Sequence, residues 1–217
     1  MYTWHWEQLP QYFPLIGAAT LRTLQISVVS IVFGTALGAV AGLMRVQPFR
    51  PLRFLAAAYV ELFRNIPLML VLYLIYFGAG AFLPVSPFWA AVLGLSVFEG
   101  AYVAEIVRAG IQSIDRGQME AARSLGMSYL QSMRHVVAPQ AARRSLPPLT
   151  GQFVSLVKDS SLASLVSYEE LMLVGRQVNS RIFSPFEVFL TIGAIYFVIC
   201  LALSLVSRWQ EARLARP

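Results

Sequence analysis

Three ionisable groups stand deep inside apolar stretches of this chain. Glu99 lies within the run Phe88 to Val107, and Lys158 and Asp159 lie within Leu146 to Val166. A charge at membrane depth is costly and is functional by default. At 1.5 Å per helical residue, Glu99 sits roughly 16 Å below the start of its run, and Lys158 and Asp159 roughly 10 to 12 Å below the far end of theirs. The three therefore fall at overlapping depths. One cation and two carboxylates there can meet the two ends of a zwitterion, the compact Lys158 ammonium taking a carboxylate as a point charge. Ser160 and Ser161 add short donors beside it, and Tyr102, three residues from Glu99, shares its helix face. The same residues also permit a plainer arrangement, a Lys158 to Glu99 ion pair that only holds two helices together.

Other chemistries find little to work with. A P-loop needs a Gly-rich turn ending in Lys followed by Ser or Thr, but the single lysine, Lys158, stands between Val157 and Asp159. Any ATP hydrolysis must come from another subunit. Cys200 is the only cysteine, and His5 and His135 are the only histidines, so neither an internal disulfide nor a multi-cysteine or histidine-cluster metal site is expected, and no cofactor is implied. An intramembrane hydrolase would need Ser and His or paired Asp on neighbouring spans. Both histidines lie outside the apolar runs, and Asp159 is the one Asp within them.

The elements that must position these groups are membrane helices. Of the 217 residues 57% are hydrophobic and 13% charged, with a mean hydropathy of +0.62. Soluble domains average about 45 to 50% apolar and roughly 25% charged. Too little polar surface exists to cover a water-soluble globule, so the chain belongs in a bilayer. Apolar runs at Thr20 to Met44, Ile66 to Leu83, Phe88 to Val107, Leu146 to Val166 and Val188 to Val206 give an all-α integral membrane protein of five spans. Leu55 to Phe63 reads as an interfacial helix leading into the second span. Arg45, Arg50 and Arg53, the run of arginines from Arg108 to Arg144, and Arg208, Arg213 and Arg216 mark one side as cytoplasmic, which places the N-terminus outside and the C-terminus inside. The same rule explains the net charge of +6 without any nucleic acid. Met1 to Leu15 lacks a basic n-region, unlike a cleaved signal peptide. Trp4, Trp6, Tyr12 and Phe13 form an expected outer aromatic belt. Gly34, Gly38 and Gly42, four apart, give the first span a face that another helix can approach closely.

Between spans three and four runs a polar connection patterned as two short helices. Asp115 can cap the first, with Gln118 reaching back in a capping box. Gly126 is placed to end it in the left-handed conformation. Ser128 can cap the second, which is expected to stop near Pro139. The product is a helix-turn-helix knob whose Met119, Ala122, Leu125, Met127 and Met133 suit insertion into a partner's groove, or else a pair of amphipathic helices lying on the membrane. Glu61 with Arg64, and Glu105 with Arg108, stand three apart and are expected to pair near the inner surface, as structure or as an inner gate.

Glu120-Ala121-Ala122, then Gly126 after three residues, then Val136-Val137-Ala138-Pro139 resembles the EAA loop of ABC importer permeases, with Ala138 where that pattern has Leu. The stretches Tyr59 to Leu70, Phe98 to Gly126 and Leu156 to Val166 are similar to the permeases of polar amino acid uptake systems, in the expected order and spacing. The resemblance covers nearly the whole chain. It implies that residues 1–217 form one transmembrane permease domain, with 115–139 as its cytoplasmic coupling loop. Glu120, Ala121, Ala122, Gly126 and Pro139 would dock in a cleft of the ATP-binding subunit. The implied partners are an ATP-binding cassette ATPase dimer, a periplasmic or extracellular solute-binding protein, a second permease chain (a copy or a paralogue) and a polar amino acid substrate. The implied location is the bacterial cytoplasmic (inner) membrane. An ion-coupled secondary amino acid carrier is the alternative, since buried carboxylates such as Glu99 also serve proton relays. The Gly126 loop separates the two, because a carrier has no use for an ATPase-docking knob.

Overall fold

The computed structural model describes residues 4–214. Met1 to Thr3, at the head of the segment lacking a basic n-region, and Arg216 lie outside them. Two 3-10 turns, Trp6–Gln8 and Pro10–Tyr12, lead into α1 (Phe13–Val46). At 34 residues α1 is roughly 51 Å long, well beyond a hydrocarbon core of about 30 Å. Among the described residues, Trp6–Val46, α4 (Pro87–Gln112) and Pro185–Trp209 of α9 (Pro185–Leu214) are long and apolar enough to cross a membrane.

A fourth candidate is bent. α2 (Arg50–Asn65) and α3 (Leu68–Tyr73), continued by a π turn over Leu74–Gly78 and a 3-10 turn to Ala81, meet at 107°. The cause is Pro67, which has no N–H to donate and drives Ile66 into extended backbone (φ −111°, ψ 145°). The helix expected over Leu55 to Phe63 is thus the longer α2.

The run Leu146 to Val166 does not form a helix of its own. α7 (Ala138–Asp159) begins earlier, carries Arg143 and Arg144 in its first half and Pro147 and Pro148 inside it, and passes into a 3-10 helix over Ser160–Val166 that ends at Ser167 in the left-handed region (φ 61°). Polar residues at its start keep α7 out of the set of apolar spanning helices. Nor does Pro139 stop the chain, as the sequence led us to expect. α6 (Tyr129–Ser132) runs through a π turn over Met133–Val137 directly into α7. The wider i→i+5 turn makes room for a proline in the first turn of α7, where a missing N–H costs least.

α1 and α4 pack backbone to backbone. A Cβ on Gly38 would lie 2.6 Å from the Gly100 carbonyl oxygen, and one on Gly42 2.8 Å from that of Ala104. The small-residue face read from the sequence is this contact. One core cluster joins α1, α3, α4 and α7 through Ile26, Leu72, Val92, Leu95 and Leu156. A second joins α1 to α8 (Leu171–Ile182) and α9 through Ile16, Val174 and Ile192. The Glu170 carboxylate caps α8, accepting from the Met172 and Leu173 N–H groups at 2.8 Å each and from the Tyr196 hydroxyl at 2.9 Å. Burial pushes the Glu170 carboxyl above the usual carboxylate range, and these three bonds oppose the rise.

Candidate functional site

Glu99 is 1% exposed in α4, with its Cβ and Cγ against Gly34 of α1. The side chain of Gln152, from α7, donates to Glu99 Oε2 at 3.0 Å. Oε1 has no hydrogen-bond partner among the described residues. A buried carboxylate oxygen left open costs about 1 to 3 kcal/mol or more unless something fills it.

Lys158 does not fill it. The lysine is exposed on the single chain, and among the described residues it forms no ion pair, so the helix-holding Lys158 to Glu99 pair is not made. Asp159 beside it is half-buried. Ser160 is fully buried and donates to the Val157 carbonyl at 2.7 Å, and Ser161 is half-buried. Tyr102 faces elsewhere: Phe98 packs on its ring (5.1 Å between centroids), and Arg64 Cζ lies 5.3 Å from the ring centroid. The six residues therefore divide into a Glu99–Gln152 point between α4 and α7, a Lys158 to Ser161 segment where α7 turns 3-10, and Tyr102 under the end of α2. Gln152 escaped the sequence reading because a lone amide in an apolar run is common; its only signal was being polar at the depth of Glu99.

Further along α4 the charges form a network. Glu105 accepts from Arg108 (Nε at 3.0 Å, and Nη2) and from Arg45 of α1 at 2.5 Å. Arg45 also lies 3.9 Å from Glu61, and Arg64 lies 3.9 Å from Glu105. The Glu105 to Arg108 pair is as expected. The expected Glu61 to Arg64 pair is replaced, because Arg45 reaches Glu61 from another helix and Arg64 turns toward α4.

The polar connection forms α5 (Arg116–Ser124), a glycine turn and α6. Asp115 caps α5 by accepting from the Gly117 N–H at 2.7 Å, but Gln118 does not complete the box, since Gln140 of α7 donates to its Oε1 at 3.2 Å. Gly126 takes φ +87°, with Met127 N–H bonded to Ala122 O and Gly126 N–H to Arg123 O, a Schellman ending. Ser128 caps α6 in a full capping box with Gln131. Of the knob residues, Ala122 is 4% exposed, and Met119 and Met133 pack inward on Ile114, Val137 and Ala141. The apolar groups turned outward are Leu125, 83% exposed, and Leu130, 72% exposed. Glu120, Ala121 and Pro139 are exposed as well.

The described residues thus form an all-helical membrane chain with Glu99 buried in one apolar helix and a helix-turn-helix knob following that helix. Residues 34–216 match the family described as binding-protein-dependent transport system inner membrane component, and the chain belongs to that family. It is accordingly an inner-membrane permease component, of a kind that works with a separate ATPase and a solute-binding protein. The chain is 40% identical to the probable glutamine ABC transporter permease protein GlnM of Bacillus subtilis (strain 168), over 90% of this chain and 91% of that protein. It is 37% identical to the glutamate/aspartate import permease protein GltK of Escherichia coli O157:H7, over 99% of this chain and 100% of that protein. Among solved structures, a chain of an amino acid ABC transporter crystallised with histidines matches at a TM-score of 0.92 and 36% identity, covering 98% of this chain and 100% of that one.

Proposed function

We propose that this chain is the transmembrane permease subunit of an ATP-driven polar amino acid importer and forms half of an alternating-access pathway. The observation that carries the reading is the full-length likeness, in sequence and fold, to a chain of an amino acid ABC transporter. Family membership leaves the ion-coupled carrier without support. In this reading residues 1–217 are one permease domain, the chain crosses the membrane five times with its N-terminus outside, and α7 with its 3-10 extension supplies the fourth crossing despite its polar start. The arginine distribution supports that orientation. A second permease chain, a copy or a paralogue, completes the pathway.

The 115–139 segment docks on the ATPase through Glu120, Ala121, Ala122, Gly126 and Pro139. The outward Leu125 and Leu130 support a partner on this face rather than packing against the chain itself. The substrate's carboxylate meets Lys158, with Ser160 and Ser161 beside it, and its ammonium or a cationic side chain meets Glu99 or Asp159, while Tyr102, turned toward Arg64, stands apart from this point. Support comes from two open groups of opposite sign at similar depth, the Lys158 ammonium and Glu99 Oε1. An exposed lysine in a crossing helix cannot face lipid at small cost, so it faces water or the partner chain.

The test is Lys158→Met in the complex reconstituted in proteoliposomes with its ATPase and with the solute-binding protein saturating. Losing one charge-assisted contact should lower uptake and substrate-stimulated ATPase activity by about one to two decades. Thermal stability should hold, since no ion pair is lost. Unchanged uptake in this variant defeats the assignment.

A further inference from the structure

Arg64 is the arginine of the α4 network whose donors are unused. Both oxygens of Glu105 are occupied by Arg108 and Arg45, and Arg64 Nη1 stands 3.9 Å from Oε2, beyond hydrogen-bond length. No described residue accepts any of its N–H groups. The guanidinium instead lies over the Tyr102 ring, which holds the plane in place from one side. Arg45, Arg64 and Arg108 face only Glu61 and Glu105, so the cluster carries one surplus positive charge, and the geometry leaves it on Arg64. The side chain is 36% exposed, at the end of α2 where Pro67 turns the chain. Tyr102 follows Glu99 by about one helical turn, a rise of roughly 5 Å along α4.

A planar fork of free donors, fixed by stacking and bearing unbalanced charge, matches a carboxylate that binds through both oxygens. We infer that Arg64, laid over Tyr102, is a second carboxylate-binding subsite for the transported amino acid, one turn along α4 from Glu99 toward the α5 knob. It rests on the importer reading and deepens it. The substrate's carboxylate leaves Lys158 and is received at Arg64. Lys158 and Arg64 then act in succession rather than together.

The test uses the complete reconstituted complex with the binding protein saturating, and as probes radiolabelled L-glutamine, L-glutamate, L-arginine and L-cystine. For whichever of these the wild type takes up, Arg64→Gln should lower uptake per ATP hydrolysed by about ten- to a hundredfold. Arg64→Lys, which keeps the charge but not the fork, should recover part of it. The thermal midpoint of Arg64→Gln should stay near that of the wild type, since no internal hydrogen bond is removed. Wild-type uptake in Arg64→Gln overturns the subsite. If that variant does not assemble, Arg64→Lys decides alone: wild-type uptake in it overturns the subsite, and a partial loss upholds it. A lipid phosphate offers the same chemistry, so uptake is compared in phosphatidylcholine and phosphatidylglycerol vesicles. A phosphatidylglycerol dependence that disappears in Arg64→Gln, with amino acid uptake otherwise intact, assigns the site to lipid and also overturns it. Failure of the wild type to take up any of the four amino acids strikes the importer reading instead.

Discussion

Glu99 has one oxygen satisfied by Gln152 and one left open, so its two partners have separable consequences. Gln152→Leu removes the internal donor and strands a buried carboxylate between α4 and α7. Stability of the purified chain should fall by about 1 to 3 kcal/mol, read as a lowered thermal midpoint in detergent, and Glu99→Gln on the same background should recover much of it. An unchanged midpoint in Gln152→Leu would show that the contact carries no weight. At this scale the sequence was informative about charge and silent about partners. Glu99, Lys158 and Asp159 stood out because a charged residue in an apolar run has few innocent explanations. Gln152, Arg45 and the stacking of Arg64 on Tyr102 did not, because each depends on which helices become neighbours, and local spacing does not encode that.

Among the elements, the glycine turn gives the sharpest test. Gly126 sits at φ +87°, a value that a proline ring, locked near −65°, cannot reach. Gly126→Pro should break the Schellman turn, tilt α6 and uncouple transport from ATP hydrolysis while leaving the spanning helices in the membrane. Normal ATPase association together with normal uptake would show that the turn is not where the two subunits meet. Local rules served well here: the caps at Asp115 and Ser128 and the left-handed glycine are as read, apart from the Gln118 half of the Asp115 box, since each depends on residues within three or four positions. They failed where a wider context decides. Pro139 was expected to end a helix, but a π turn absorbs it, and Met119 and Met133, expected on the knob's surface, face the chain's own core, while Leu125 and Leu130 stay outside.

For the whole molecule, the apolar window of α9 is only 11% buried and that of α4 61%, so the single chain leaves much apolar surface for lipid or a second subunit. Native mass measurement of the complex in detergent should find two permease chains, identical or paralogous, for every pair of ATPases. One permease chain and no paralogue would contradict the pairing. Most of the described helices were legible in rough position, but α8 had no counterpart among the expected elements. The 107° bend and the early start of α7 were not, because Pro67 marks a break but not its angle, and Arg143 and Arg144 hide a helix from a search for apolar runs. One consequence of that early start is mechanical. From Tyr129 to Val166 the chain is helical without a gap, roughly 60 Å of stiff backbone joining the knob to the Lys158 segment. Under the proposed coupling, a displacement imposed on α6 travels along this strut as a push or a twist, with no loop to dissipate it. Its compliance is concentrated at Pro147 and Pro148, where two rungs of the hydrogen-bond ladder are missing and the strut can flex before the load reaches the lysine.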